Sequence, residues 1–258
     1  MKIAVCVKQI PDPAAPYELD PENHWVVRPE DQVLDDTDRY GVEVGLQLAA
    51  ATEGSVTLYS MSPAGSLQGI RQALAMGADR AVIVSDPQLR GSDALVTAHV
   101  LSRAIARDEN DLVITGTEST DGYAGVVPQQ IAELLEVPAL TFARHVDASN
   151  GGVQIQRQTP DGYEIVTSSL PAVISVTAGA VEPRYPTFKG IMQAKQKPID
   201  QLTANDLGYG PNDVGGIGSG QHVKSVTVIP AREAGEIVED DGEGYQRIVA
   251  LLEQAKVI

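Results

Sequence analysis

Glycines and hydroxyl-bearing side chains are concentrated in the segment Gly116–Gly125, which directly follows the apolar run Leu112–Thr115. An amphipathic stretch through Gln130 and Leu135 comes next, so the order is strand, polar loop and helix start. Glycine lets a ligand approach the backbone, while hydroxyls, free amides and the helix dipole favour a phosphate. The pattern indicates a nucleotide site. A tight surface turn is the alternative, because the spacing matches neither GxGxxG nor a P-loop.

A second segment, Glu182–Lys197, combines apolar and basic residues in a chain of formal net charge −16, and we call it the docking segment. Its prolines and Gly190 interrupt regular structure, which predicts a loop running into a short helix. Exposed apolar side chains ringed by cations are typical of protein-docking surfaces. The candidate docking residues are Arg184, Tyr185, Phe188, Lys189, Ile191, Met192, Lys195 and Lys197. The alternative is that Phe188 and Ile191 complete the core.

Composition excludes several classes of function. The chain is 43% hydrophobic and 21% charged, with no apolar run long enough to span a bilayer and no targeting segment, which predicts a soluble cytoplasmic protein. An excess of 35 acidic over 19 basic residues disfavours nucleic acid. One cysteine and four scattered histidines predict neither a disulfide nor a metal site. No catalytic motif occurs, so we expect a binding protein without catalytic residues.

Short β-branched runs alternate with amphipathic stretches, which predicts an α/β fold with a mostly parallel sheet flanked by helices. Ligands gather at the carboxyl ends of the strands in such sheets, where the loop Gly116–Gly125 must lie. The predicted strands of this part are Ile3–Val7, Ser55–Tyr59, Ala81–Val84 and Leu112–Thr115. The predicted helices are one around Tyr40–Leu48 with Gly41 and Gly45 facing the sheet, one capped by Ser62 and ended by Gly77, and Asp93–Arg107 with Leu95, Ala98, Leu101 and Ile105 inward.

The pattern changes after Pro138, where antiparallel strands are predicted. These are Ala139–Phe142, Val146–Asp147, Val153–Gln158 and Tyr163–Thr167, with turns at Asn150–Gly152 and Asp161–Gly162; the buried strand Ala172–Thr177 then leads to the docking segment. Six glycines between Gly208 and Gly220 predict a linker, followed by a strand at Ser225–Ile229 and a terminal helix carrying Tyr245, Ile248, Leu251 and Leu252. We therefore expect a nucleotide-binding domain at 1–207 and an arm at 208–258.

Four segments together resemble the electron-transfer flavoprotein β subunit family. They are Val5–Asp12 (VCVKQIPD), Ala73–Arg80 (ALAMGADR), Glu118–Gly122 (ESTDG) and the docking segment, and they occur in the family's order. The resemblance covers residues 1–207 and is weaker in the C-terminal arm. It implies a Rossmann-like, three-layer adenine-nucleotide-binding fold with added antiparallel strands.

The resemblance also implies partners and cofactors. The family forms a heterodimer with an α subunit that holds most of one FAD, while the β subunit buries a structural AMP and its C-terminal arm packs on the α subunit. Electrons pass from flavin dehydrogenases, such as acyl-CoA dehydrogenases, to the electron-transfer flavoprotein-quinone oxidoreductase of the membrane. No membrane insertion of the β subunit is implied.

Carried over by position, the implied AMP contacts are Cys6, Asp35, Asp36, Thr37, Asp38, Met61, Gly116, Thr117, Glu118, Ser119, Thr120, Asp121, Gly122, Tyr123, Ala124, Gly125, Val126 and Val127. The family's recognition loop corresponds to Val176–Pro198, and Phe188 stands where many members have a leucine that inserts into a dehydrogenase pocket.

The chain departs from the family at several positions. Asp35-Asp36 replaces a common Asn-Pro; these carboxylates either repel a phosphate or cap a helix. Pro13 and Thr37 replace aromatic residues that lie beside the flavin in some members, and Gln193 and Gln196 replace lysines that some relatives methylate. Two alternatives stay open: a bifurcating member with a second FAD in place of AMP, and a nucleotide-dependent hydrolase or transferase.

Overall fold

The computed structural model describes residues 1–63, 65, 67–149, 151–227, 229, 235, 237–239 and 242–258. Residues Met1–Val223 form one compact unit and Lys224–Ile258 form a second. Within the described residues, no helix combines the length and the apolar character needed to cross a bilayer.

A nine-stranded sheet forms the centre of the first unit, in the order β11-β5-β4-β1-β6-β10-β7-β8-β9. Its members are β1 (Lys2–Cys6), β4 (Ser55–Met61), β5 (Arg80–Val84), β6 (Leu112–Gly116), β7 (Ala139–Ser149), β8 (Gly152–Thr159), β9 (Gly162–Ser169), β10 (Ala172–Val176) and β11 (Ile199–Leu202), while β2 (Gln9–Ile10) and β3 (Val33–Leu34) form a separate antiparallel pair. Neighbours from β11 to β7 are parallel, and β7, β8 and β9 are antiparallel. The predicted α/β class and the antiparallel extension are confirmed.

Helices cover both faces of the sheet. The described helices of the first unit are α1 (Asp38–Ala51), α2 (Gln68–Met76), α3 (Ala94–Ile105), α4 (Val127–Leu134), α5 (Phe188–Ala194) and α6 (Gly215–Gly218), whereas α7 (Gly244–Gln254) belongs to the second unit. One core cluster joins α1 and α2 to one face, and another joins α3 and α4 to the opposite face. This is the predicted three-layer arrangement.

Two glycines let α1 lie directly on the sheet. A Cβ on Gly45 would lie 3.0 Å from Val5 Cγ2, and one on Gly41 would lie 3.5 Å from Ile114 Cγ2. The close approach predicted for this helix is confirmed, and it fixes the start of α1 above the carboxyl ends of β1 and β6. The chain leaves β1 towards β4 on one side, whereas β6 pairs on the other side. Ligands of open α/β sheets bind at such a switch point.

The start of α2 differs from the prediction. The helix begins at Gln68 rather than near Ser62, because its first amides are capped from a distant part of the chain. Gln9 Oε1 accepts hydrogen bonds from the backbone N–H groups of Gly69 (2.8 Å) and Ile70 (3.3 Å). Gly77 ends the helix with φ +144°, as predicted.

Two further expectations about local structure were wrong. Leu95 is 47% exposed rather than inward, although α3 begins near the predicted residue, with Asp93 as its N-cap accepting from Val96 N (2.9 Å). The predicted strands Ala139–Phe142 and Val146–Asp147 are one strand, β7, whose backbone turns at Phe142 with φ +59°. Asn150, in the predicted turn, lies outside the described residues.

The glycine-rich segment 208–220 is part of the first unit and packs on the residues around Ser92, so the prediction of a linker there was wrong. Gly215 N donates to Ser92 Oγ (3.2 Å), and Asp93 N donates to Ser219 Oγ (2.8 Å). A Cβ on Gly216 would lie 2.8 Å from the Trp25 ring, so the glycine permits a close contact instead of mobility.

The second unit contains α7, whose apolar Tyr245, Ile248 and Leu251 are each more than half exposed within the chain. The predicted terminal helix is confirmed, because α7 spans Gly244–Gln254. In the predicted strand Ser225–Ile229, residues 225–227 are not in a strand and Val228 lies outside the described residues.

Candidate functional site

The loop Gly116–Gly125 lies at the carboxyl edge of the sheet, between the ends of β1 and β10 and the start of α1. A Cβ on Gly116 would lie 2.8 Å from Asp38 Oδ1, which explains the absence of a side chain there. Thr117 Oγ1 donates to the carbonyl of Val176 (3.2 Å) at the end of β10. The predicted contacts Cys6, Met61 and Gly116 end β1, β4 and β6, so the structure brings the predicted nucleotide residues to one edge.

Asp121 shapes this loop through two ion pairs. Its side chain is 1% exposed and accepts from Lys8 Nζ and Arg28 Nη2, each at 2.6 Å. Burial raises the pKa of Asp121, but the two cations outweigh burial and hold the pKa below its usual value. The carboxylate is therefore charged and engaged within the protein. Lys8 and Arg28 were not singled out from sequence, because each is remote from Asp121 along the chain.

Asp35 is fully buried and connects the start of α1 to the same loop. One carboxylate oxygen accepts from Thr37 N (3.1 Å) and the other from Thr120 N (2.7 Å). Asp36, by contrast, is exposed and pairs with Arg39 Nε at 3.1 Å. The N-cap residue of α1 is Thr37. The carboxylate of Asp35 thus holds backbone amides together, whereas that of Asp36 faces solvent.

Asp38 is a third buried acid at this edge, and its Oδ2 accepts from Lys8 N at 2.6 Å. Burial, followed by the nearby charge of Asp35, raises the pKa of Asp38 well above its usual value, which favours the neutral acid. Burial and Asp38 likewise raise the pKa of Cys6 to about 12. The Cys6 thiol therefore stays protonated and acts as a small apolar group.

The start of α4 offers hydrogen-bonding groups that could hold a ligand. Its N-cap residue, Val126, provides no side-chain cap, and Pro128 follows in the first turn. The buried amide oxygens of Gln129 and Gln130 have no hydrogen-bond partner in the described part of the chain. Uncapped amides suit a phosphate, and the two oxygens suit donors on the same ligand. These groups fit an adenine nucleotide.

A pocket of about 440 Å³ adjoins the loop. Its lining consists of Ile10, Pro13, Ala15, Tyr17, Asp36, Thr120 and Tyr123. Position 13 carries no aromatic ring, but Tyr17 and Tyr123 present rings to the same space, and neither Tyr17 nor Ile10 was singled out from sequence. Within the described residues, no cluster of three or more His, Cys, Asp or Glu side chains is arranged to hold a metal.

The docking segment forms a helix fixed to α2. Thr187 caps α5 by accepting from Gly190 N (3.0 Å), as the predicted loop-to-helix pattern requires. A Cβ on Gly190 would lie 2.5 Å from the carbonyl oxygen of Ala75, so α5 and α2 are in close backbone contact. Arg71 Nη1 also donates to the carbonyl of Ala194 (3.1 Å).

Apolar side chains project from this fixed helix. Tyr185 and Phe188 are each 82% exposed, while Ile191 and Met192 are about half exposed. The alternative that Phe188 and Ile191 complete the core is therefore wrong for this structure. Lys189 and Lys195 are exposed beside them.

Two of the predicted docking cations, Arg184 and Lys197, bind groups within this chain. Arg184 binds Glu43 through Nε (2.7 Å) and Nη2 (2.9 Å). Lys197 Nζ donates to the carbonyls of Leu74 (3.0 Å) and Ala78 (2.6 Å) at the end of α2, and burial lowers the pKa of Lys197. Both cations hold the docking segment in place.

Comparison with known proteins gives the family. A family model described as "Electron transfer flavoprotein domain" matches residues 24–207. "Electron transfer flavoprotein subunit beta" of Mycobacterium tuberculosis is 41% identical over 263 residues, covering 99% of both chains. The chain belongs to the electron transfer flavoprotein β-subunit family. The resemblance drawn from the four sequence segments is confirmed.

Other members of the family are more distant. The β subunit of Megasphaera elsdenii is 34% identical, with 94% of both chains covered. A protein named caffeyl-CoA reductase-Etf complex subunit CarD, from Acetobacterium woodii, is 31% identical with 92% coverage of both chains. Membership assigns this chain to an electron-carrying flavoprotein, and the name of a β subunit implies an α partner.

Proposed function

We propose that this chain is the β subunit of a heterodimeric electron-transfer flavoprotein that carries electrons from flavin dehydrogenases, such as acyl-CoA dehydrogenases, towards a membrane quinone oxidoreductase. The α subunit holds most of one FAD, which supplies the redox chemistry. This chain holds a structural AMP and docks the dehydrogenase. The arm at 224–258 packs on the α subunit through the exposed apolar face of α7.

The features at the start of α4 are the main support for a nucleotide site. It follows the loop Gly116–Gly125, its first turn lacks a side-chain cap, and Gln129 and Gln130 bring buried oxygens without a partner among the described residues. Of the nearby acids, Asp121 is paired with two cations and Asp35 accepts protein donors, so neither opposes a phosphate as an unpaired carboxylate would. We assign the phosphate to the first turn of α4.

The docking assignment is supported by Phe188, which projects from a helix whose backbone is held by α2. A rigid aromatic side chain loses little conformational entropy on binding, so it suits a dehydrogenase pocket. Lys189 and Lys195 lie on the same helix or at its end and can steer an acidic partner.

Counting the nucleotides tests this proposal. We expect acid extraction of the purified heterodimer, followed by chromatography, to release one AMP and one FAD per dimer. Two FAD and no AMP would support the second-FAD alternative, to which the similarity with a subunit of a reductase complex lends weight. Rapid hydrolysis or exchange of the bound nucleotide would instead support a hydrolase or transferase. Absence of any nucleotide besides one FAD would contradict a nucleotide site in this chain.

A further inference from the structure

A buried carboxylate on α1 holds the entry to the docking segment. Glu43 is 3% exposed and accepts four hydrogen bonds. Three come from Arg184, through Nε (2.7 Å), Nη2 (2.9 Å) and the backbone N (3.2 Å), and one comes from Gln47 Nε2 (2.9 Å). Burying a carboxylate is costly unless it is paired, and the two-pronged contact with a guanidinium fixes orientation as well as distance. Both the side chain and the backbone of Arg184 are thereby immobilised.

The contact between Glu43 and Arg184 lies just before the exposed apolar side chains of the docking segment. Arg184 precedes Phe188 by four residues, and the segment after Phe188 is held on α2 through Gly190 and Ala194. The exposed apolar side chains thus lie between two attachment points. The contact with Glu43 is the attachment on the side of the chain that precedes α5.

We propose that Glu43 is a positioning residue, which sets the presentation of Tyr185 and Phe188 to the dehydrogenase through its contact with Arg184. The inference rests on the proposed docking function. Glu43 itself is buried and touches neither cofactor nor partner in this role.

If Arg184 instead serves mainly to steer an acidic partner, loss of Glu43 should speed electron transfer, whereas a positioning role predicts that it slows. Replacing Glu43 by Gln would then release a cation and make the surface more positive, which would speed association. A positioning role predicts slower transfer instead, because the docking segment loses its first attachment. The two roles therefore differ in the sign of one rate change.

The test compares Glu43→Gln, Arg184→Gln and the double variant as purified heterodimers, with an acyl-CoA dehydrogenase and its acyl-CoA as electron donor. We expect each single variant to lower kcat/KM for the heterodimer about tenfold, with the loss mainly in KM, and the double variant to be no worse than the singles. Glu53→Gln is the matched control, since it removes the same charge from an exposed position just after α1, outside the docking segment and the loop Gly116–Gly125. Its kcat/KM should stay within about twofold of the wild type.

Hydrogen exchange supplies a readout that does not depend on the dehydrogenase. The backbone amides of Gly190 and Ile191, which bond to Thr187 in the first turn of α5, should exchange faster in Glu43→Gln than in Glu53→Gln. Nucleotide content and reduction by dithionite should be unchanged. Should Glu43→Gln fail to fold, Arg184→Lys keeps the charge but loses the two-pronged contact, and the same slower transfer and faster exchange are expected.

Faster transfer in Glu43→Gln would overturn the positioning role in favour of steering. Unchanged exchange together with an unchanged rate would reduce Glu43 to a packing residue. If Phe188→Ala also leaves the rate unchanged, the docking function itself is wrong, whereas the exchange data still report whether Glu43 holds the segment.

Discussion

Three buried acids at the carboxyl edge of the sheet avoid the cost of burial in different ways. Asp121 is paired with Lys8 and Arg28, Asp35 accepts bonds from backbone and hydroxyl donors, and burial raises the pKa of Asp38, which favours its neutral form. An edge with three acidic side chains can therefore accept an anionic ligand. The buried state of Asp38 can be tested through the pH dependence of unfolding.

We expect Asp38→Asn to stabilise the heterodimer at neutral pH. The pKa of Asp38 is raised above 3.8 in the folded state, so the wild type loses stability as the pH rises through 3.8, and this penalty persists at neutral pH. Asn does not titrate and its oxygen can still accept from Lys8 N. The advantage should appear above about pH 4 and raise Tm by roughly 2–4 °C per kcal/mol relieved.

Thermal unfolding at several pH values measures this effect, with Asp36→Asn as the exposed control. The control should follow the wild type at each pH. An Asp38→Asn heterodimer that melts lower than the wild type at pH 7 would show that the charged form of Asp38 is stabilising.

Phe188→Ala should slow reduction of the heterodimer by the dehydrogenase by more than about tenfold, since truncating an interface anchor typically costs ~2 kcal/mol or more. Because the ring is 82% exposed, its removal leaves no internal cavity, and Tm, flavin spectrum and AMP content should barely change. Stopped-flow reduction and thermal unfolding on one preparation provide both measurements. A lowered Tm with normal kinetics would reverse the docking assignment.

At the scale of elements, α1 serves both sites. Its N-cap residue, Thr37, donates to the Glu118 carbonyl of the loop Gly116–Gly125, and Asp38 accepts from Lys8 N. Glu43, less than two turns later, holds the docking segment. This helix lies close on the sheet because of Gly41 and Gly45. One rigid element thus fixes the relative positions of the two candidate sites.

The elements that the sequence predicts well are those whose signals are local. Strand β6 and the start of α3 depend on neighbouring residues, and both lie within two residues of the prediction. The start of α2 could not be predicted, because Gln9 caps it from 60 residues away. The packing of segment 208–220 on Trp25 is equally non-local.

In the candidate site, too, the local features could be predicted from the sequence, whereas contacts between distant residues could not. The loop Gly116–Gly125 is visible in the sequence, since glycines and hydroxyls follow a buried strand. Its electrostatic partners are not, because Lys8 is 113 residues and Arg28 is 93 residues from Asp121. For the same reason Arg184 was interpreted as a surface cation, although Glu43, 141 residues away, binds it.

Gly190→Ala should displace α5 from α2. The added Cβ would lie 2.5 Å from the Ala75 carbonyl oxygen, and overpacking of this kind costs about 1–3 kcal/mol, which exceeds the gain in helix propensity of about 1 kcal/mol. We expect a lower Tm and slower reduction by the dehydrogenase. Gln193→Ala, at an exposed position of the same helix, is the control for the substitution itself. Equal Tm values for the two variants would contradict the close contact between α5 and α2.

At the scale of the whole molecule, we expect the two units of the chain to have separate functions. Residues 1–223 contain the sheet, the nucleotide loop and the docking segment, whereas 224–258 carry α7 with its exposed apolar residues. An exposed apolar face of this kind is typical of a helix that binds a partner.

Truncation after Val223 should therefore leave a folded first unit that no longer forms a stable heterodimer. Circular dichroism should show a cooperative thermal transition, and size-exclusion chromatography with the coexpressed α subunit should show separate chains without bound FAD on this one. A full-length exposed-face variant, Leu251→Asp, should weaken the heterodimer in the same direction. A truncated chain that still forms a yellow heterodimer would show that the arm is dispensable.

Electron transfer into the assembled heterodimer tests the central claim most directly. The purified heterodimer is mixed anaerobically with an acyl-CoA dehydrogenase, and the flavin absorbance is followed after addition of the acyl-CoA. We predict that the flavin of the heterodimer is reduced only when both the dehydrogenase and its substrate are present. A flavin that stays oxidised under these conditions, while dithionite reduces it fully, would contradict the assignment of this chain to the carrier of dehydrogenase electrons.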